Sequence, residues 1–258
     1  MLIMKKQLLL IFLIAIFSLA FAQKKKTSVN PANNTTQNTQ NMNSVRSVSA
    51  KDTTDYDIRV YSNAVSIGDF YTAITAIHYK YAKDSNIKWL DTLSRLYFSG
   101  SMIRQAILTA EIVVQKQPNN IAMLELLAMS YSGMGDSKAS LAKYEKLFEL
   151  TQKPYYQYQC AVEEYNLGRI GECEARIKSI QANPAAEKEK ININVGQNQP
   201  LQSVSIKAAA LNLLGVMQMK LNKNEEAKKS FEESLKLAPD FSLPKGNLEV
   251  LTKPKDKK

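Results

Sequence analysis

"LGVMQMKLNKNEEAKKSFEESLKLAPD", Leu214 to Asp240, is the stretch whose reading decides the fold. It reads as a helix, a turn and a second helix ended by Pro239. Proline cannot continue a helix and disfavours helical geometry in the residue before it. With Ala208 as position 1, Leu211 falls at 4, Leu214 at 7, Gly215 at 8, Ala227 at 20, Phe231 at 24 and Pro239 at 32. A small residue at 8 lets the second helix approach closely. Ala227 is the small residue facing it, and Phe231 fills the groove left beside them.

The same offsets recur upstream. A unit starting at Ile87 has Leu90, Leu93, Tyr97, Ala106 and Pro118 in place. The next, from Ile121, has Leu124, Leu127, Ala128, Tyr131, Gly135-Asp136 and Tyr144. A fourth starts at Tyr155, with Tyr158, Ala161, Tyr165 and Gly168, and a first at Thr54, with Gly68-Asp69-Phe70 at its turn and Ala73 at 20. The pattern resembles the tetratricopeptide repeat, a helix–turn–helix unit of about 34 residues. That resemblance implies an all-α, right-handed helical-hairpin solenoid over residues 54–253. Its units are 54–86, 87–120, 121–154, 155–188 and 208–241, with a closing helix at 242–252. Trp89 sits one place before the family's preferred tryptophan. Ser140 and Glu174 replace alanine at position 20 in the third and fourth units, and the fourth lacks the closing proline.

A tandem successor to the fourth unit would start at 189, but the next clear unit starts at 208. The insert 189–207 contains "ININVGQNQPLQSVSI", in which Ile191, Ile193 and Val195, then Val204 and Ile206, alternate with polar residues. Period-two alternation on both sides of Gly196 to Pro200 is the pattern of two short strands, a β-hairpin near 191–206; an irregular loop is the other reading. Long inserts in solenoids map to loops on one face, which makes this one a candidate contact element.

Ahead of the repeats, Lys5 and Lys6 precede an apolar run from Leu8 to Phe17 that ends at Ala20-Phe21-Ala22. This reads as a secretory signal peptide over 1–22, with an uncleaved anchor as the alternative. From Leu8 to Ala22 is 15 residues, against about 20 for a bilayer span. After cleavage no membrane-spanning run remains. The expected location is the periplasm or cell envelope of a bacterium. Residues 23–52 are rich in Asn, Gln, Thr and Ser and cannot bury enough surface to offset ordering entropy, so they read as a disordered linker. The net charge is +10, but five basic residues against one acidic lie in 23–52, and four lysines against Asp256 in the tail beyond Thr252. The repeats are nearly neutral and no nucleic-acid groove is expected. The basic ends, including the 254–258 tail, read as solvated; weak association with an anionic envelope surface is the sharper reading.

No catalytic constellation stands out. His78 is the single histidine, no cysteine cluster accompanies it, and no phosphate-binding, serine-hydrolase or zinc-protease motif occurs. No metal or cofactor is expected. Glu163-Glu164, Glu225-Glu226 and Glu232-Glu233 read as solvated helix faces. Cys160 and Cys173, the two cysteines, lie on either side of the fourth unit's turn. They are offset by roughly 6 Å along the axis at 1.5 Å per residue, so a disulfide stays open.

The resemblance implies a concave groove lined by the first helix of each pair. Its candidate partner-binding residues are Lys88, Asp91, Arg95 and Phe98 in the second unit, Glu125 and Met129 in the third, Tyr156, Gln159, Glu163 and Asn166 in the fourth, and Asn212 and Met219 in the fifth. This polar, aromatic and methionine-bearing mix suits an extended segment or a partner helix. Asp91 and Glu125 stand where carboxylate-capturing relatives carry cationic or amide groups, which argues against that mode. The expected function is a non-enzymatic protein-interaction scaffold whose hairpin insert adds contacts. A cell-wall or surface-glycan binder is the alternative, for which Phe98 and Tyr156 are the stacking candidates. An enzyme would need a base or nucleophile beside Asn192, Asn194, Gln197 and Asn198, and none is there.

Overall fold

Asp55 accepts a hydrogen bond from the backbone N–H of Asp57 at 3.1 Å and so caps the first helix. From there the computed structural model describes residues 55–196 and 199–252. The expected signal peptide, linker and basic tail, the first unit's Thr54, and Gln197 and Asn198 of the insert lie outside the described residues.

The described chain forms α1 (Tyr56–Ser66), α2 (Phe70–Asp84), α3 (Ile87–Ser99), α4 (Ile103–Lys116), α5 (Ile121–Gly133), α6 (Ser137–Thr151), α7 (Pro154–Asn166) and α8 (Ile170–Ala182). A short α9 (Ala185–Lys188), β1 (Lys190–Ile193) and β2 (Gln202–Ser205) lead to α10 (Ile206–Lys220), α11 (Asn224–Leu237) and α12 (Ser242–Thr252). Five antiparallel pairs result: α1/α2, α3/α4, α5/α6, α7/α8 and α10/α11. Each pair packs on the next, α3 also meets α5, and α7 meets α10. The architecture is the all-α solenoid expected, and the fifth pair stacks directly on the fourth through α8 and α10 despite the insert between them.

One local device makes every pair. A residue with positive φ ends the first helix's turn: Gly68, Ser101, Gly135, Gly168 and Asn222. The next residue starts the second helix, and Asp69 and Asp136 do so by accepting from the N–H of Thr72 and Ala139, both at 3.0 Å. Four residues further on comes a side chain with 0% exposure in each pair: Ala73, Ala106, Ser140, Cys173 and Ala227. One turn later Ile77, Ala110, Tyr144, Ile177 and Phe231 are buried too. Facing them from the first helices are Ser94, Ala128, Ala161 and Gly215, all buried. In the fifth pair a ring meets the smallest residue. A β-carbon on Gly215 would lie 2.6 Å from Cδ1 and 2.8 Å from Cζ of Phe231.

This frame corrects two sequence expectations. The small residue of α8 is Cys173, whose thiol points at the Ala161 carbonyl 3.2 Å away, as the Ser140 hydroxyl donates to Ala128 at 3.0 Å. Glu174 points outward and pairs with Lys178 at 3.1 Å. The fourth pair therefore sits one residue earlier than its nominal start at Tyr155. Both cysteines are free and buried. They pack in separate clusters, Cys160 beside Tyr144 and Leu147, Cys173 beside Ile177 and Ile180. Burial pushes each thiol up to about 12.

The insert is a hairpin. Lys190 pairs with Ser205, Ile191 with Val204, Asn192 with Ser203 and Ile193 with Gln202. Ile191, Ile193, Val195 and Val204 enter the core shared by α8, α10 and Phe241. Ile206 belongs to α10 instead of the second strand, because Ser205 caps that helix through the Ala208 N–H at 3.2 Å. The Gln202 amide donates to the Asp240 carbonyl at 2.9 Å and accepts from the Ser242 N–H at 2.8 Å, tying the hairpin to the α11–α12 turn.

Candidate binding groove

The inner surface is built by one stripe of each first helix, its residues spaced for one face of a 3.6-residue turn. In α3 this stripe holds Lys88 and Arg95, both exposed, with Asp91 and Phe98 half-buried. Arg95 Nε donates to Asp91 Oδ1 at 2.7 Å. The Lys88 ammonium lies 4.5 Å from the Trp89 ring centroid, and the indole N–H donates to Asp84 at 2.8 Å. In α5, Glu125 and Met129 are half-buried. In α10, Met219 is half-buried and Asn212 is buried under α12, where the Asn247 amide donates to it at 3.2 Å. Asn212 is thus covered and does not line an open surface.

In α7 the stripe differs from expectation. Tyr156, Gln159 and Glu163 are exposed by 2%, 8% and 1%, so they do not line an open surface. The Tyr156 hydroxyl donates to Glu125, Gln159 hydrogen-bonds Tyr155, and Glu163 shares the Ser140 hydroxyl proton, at 2.9 Å, with the Ala128 carbonyl and accepts from the Asn166 amide at 3.3 Å. The one-residue offset of the fourth pair is the cause. Glu163 takes the place held by Leu96, Ser130 and Met217 in the other pairs, which are buried against a neighbouring helix. Glu164 is buried as well and accepts from Arg176 Nε at 2.8 Å. The reading of Glu163-Glu164 as a solvated face is therefore wrong, whereas Glu225, Glu226, Glu232 and Glu233 are exposed.

The residues that α7 brings to the inner stripe are Tyr155, Val162 and Tyr165, half-buried, with Asn166 exposed at its end. Sequence reasoning missed the first three. The signal was available: Gly135 and Gly168, the turn glycines of the third and fourth pairs, lie 33 residues apart instead of 34. The Lys220 ammonium stands 4.9 Å over the Tyr165 ring, and Tyr155 meets Tyr156 edge-on at 5.3 Å between centroids. Those ring faces are therefore engaged within the protein. Burial raises the Tyr155 and Tyr165 hydroxyls above the usual tyrosine range, so both stay neutral donors at physiological pH. Glu189, carried in by the insert, is also pushed up by burial.

Chemically, the groove offers hydrogen bonds, cations at its rim and adaptable apolar area. His78 lies outside it and hydrogen-bonds the Tyr97 hydroxyl at 2.7 Å. Among the described residues, no group of three or more His, Cys, Asp or Glu could hold a metal ion, and no helix is long and apolar enough to cross a membrane.

Comparison with known families matches residues 208–241 to the tetratricopeptide repeat. No curated protein matches the chain. Among solved structures it is similar to a tetratricopeptide repeat protein from Parabacteroides merdae, at 16% identity and a TM-score of 0.58, over 76% of this chain and 70% of that one. It is also similar to YrrB, a tetratricopeptide protein with an unusual peptide-binding site, at 14% identity and a TM-score of 0.58, over 75% and 90% of the two chains. For MamA from Desulfovibrio magneticus RS-1 the values are 10% and 0.53, over 70% and 92%. At these identities the likeness establishes the fold.

Proposed function

From the premise that the chain is a tetratricopeptide-repeat solenoid, we propose that it is a non-enzymatic scaffold that docks a peptide segment or partner helix along its inner face. One observation carries this reading. Phe98, Met129, Val162 and Met219, each half-buried, punctuate a stripe whose rim presents Lys88, Arg95, Asn166 and Lys220. Methionine and partly covered aromatics adapt to varied apolar side chains, while the cations and amides fix the register of a bound backbone. YrrB, with the same fold, has a peptide-binding site, which supports the reading by analogy of architecture. The signal-peptide pattern at 1–22 supports a place in the bacterial cell envelope. The hairpin contributes by holding the fifth pair and Glu189 beside α7.

The test is site-specific photocrosslinking in envelope preparations. A crosslinker at Met129 or Arg95 is expected to capture one defined set of partners, and one at Lys229 on the outer face is not. Arg95→Ala should weaken that capture while changing the melting temperature little, since Arg95 is exposed and its bond to Asp91 is a surface i,i+4 pair. Equal capture from inner and outer positions would exclude the groove.

A further inference from the structure

The outer face of the solenoid is uneven. The outward stripe of α2 carries Tyr71, Thr75, Tyr79 and Ala82, all exposed. The matching stripe of α4, 33 residues on, carries Leu108 and Ile112 in the places of Thr75 and Tyr79, between exposed Arg104 and Gln115 in the places of Tyr71 and Ala82. Tyr71, Tyr79, Leu108 and Ile112 are exposed by 77%, 63%, 62% and 40%. In α6 and α11 the same places hold Ala142 with Lys146, and Lys229 with Glu233. The apolar outer surface is thus confined to the first two pairs, and it contains a shallow depression lined by Thr75, His78, Tyr79, Tyr81 and Ala82.

We propose that this face is the contact between two copies of the chain, related by a two-fold axis and independent of the inner groove. Area is the first argument. At about 200 Å² per buried tyrosine and about 100 Å² per aliphatic side chain, the four residues expose roughly 400 Å². A stable interface buries about 800 Å² per partner, roughly 450–500 Å² of it apolar. The patch supplies most of that share.

Charge is the second argument. The cations flanking α2 are locked within the chain: Lys80 pairs with Asp55 and Asp84, and Lys83 with Asp57. Beyond α4, Lys143 pairs with Glu111 at 2.9 Å. Arg104, exposed in the place of Tyr71, puts a cation at one end of the patch; its centre offers a strongly charged partner little to pair with, whereas a second copy brings an equally apolar centre. In a two-fold contact each tyrosine stripe meets its mate, and one copy's side chain enters the other's depression.

Sedimentation velocity of the full chain over roughly two decades of concentration tests this directly. The expected result is a concentration-dependent dimer. Tyr79→Glu or Leu108→Glu should weaken it at least about tenfold, because each places like charges across the two-fold contact. Glu233→Lys on α11 should leave it unchanged. Unaltered far-ultraviolet circular dichroism and melting keep the variants interpretable. A monomer at every concentration overturns the proposal, and binding of that monomer to anionic vesicles, lost in Tyr79→Glu, would assign the patch to a lipid surface instead. A dimer indifferent to both patch variants overturns it equally. Groove crosslinking at Met129 does not depend on either outcome.

Discussion

At the scale of single residues, the fifth pair is set by one glycine against one ring. Phe231 is fully buried and has no room to withdraw from a new β-carbon. Gly215→Ala should therefore destabilise the chain by about 1–3 kcal/mol through overpacking, lowering the melting temperature by roughly 2–4 °C per kcal/mol for a protein of this size. Gly246 is the control. It is exposed within α12 and its β-carbon would meet nothing within 4 Å. Gly246→Ala should raise stability by up to about 1 kcal/mol. Thermal melts of both variants decide it, and a neutral Gly215→Ala would mean that the ring is not seated as described. The offsets of Gly215 and Phe231 were legible in sequence because each residue's size suits one place in a helix pair. That Phe231 is the group lying against Gly215 follows only from how deeply the helices interlock.

At the scale of elements, the hairpin was legible and its role was not. Alternation of Ile191, Ile193 and Val195 marks a strand wherever it lies. Those side chains enter the core between α8 and α10, so the insert is a structural wedge as well as a candidate contact. Its link to the closing helix runs through Gln202. Gln202→Ala removes both hydrogen bonds to the α11–α12 turn and should cost about 1 kcal/mol for each. The loss belongs locally to α12, where amide exchange should quicken while α3 to α6 keep their protection. Unchanged exchange in α12 would show that its packing on α10 and α11 suffices.

Across the whole molecule, cohesion is serial. One core cluster joins the first three pairs, a second joins α5, α6 and α7, and a third joins α7, α8, the hairpin, α10 and Phe241. Titration acts unevenly on this series. The Lys80 hydrogen bond lowers the Asp55 carboxyl, the Thr72 hydrogen bond that of Asp69, and the Trp89 indole that of Asp84. A carboxyl lowered in the folded chain stabilises it above the ordinary aspartate range, and that stability is lost as pH falls through the lowered value. Glu189, raised by burial, has the opposite sign: it favours the fold when protonated and opposes it as pH rises through its raised value. Acid below about pH 4 should therefore loosen α1 and α2 before the hairpin region. Protection factors compared at neutral and acid pH check this, and simultaneous loss in both halves would contradict it.

The sequence by itself determined the helix pairs, their turns, the hairpin and the kind of surface the first helices carry. The pairs are written in local spacing: a turn residue with positive φ, the start of the second helix one place later, capped by Asp69 and Asp136 in two of them, and a small residue four places after that. Only the tertiary structure decided which face of α7 looks into the groove. An α-helix turns about 100° per residue, so the single residue missing between Gly135 and Gly168 rotates that helix's stripe from Tyr156, Gln159 and Glu163 to Tyr155, Val162 and Tyr165. Packing holds the rotated setting: in the buried seam Ser140 donates to the Glu163 carboxylate and Arg176 to one oxygen of Glu164, whose Oε2 has no partner.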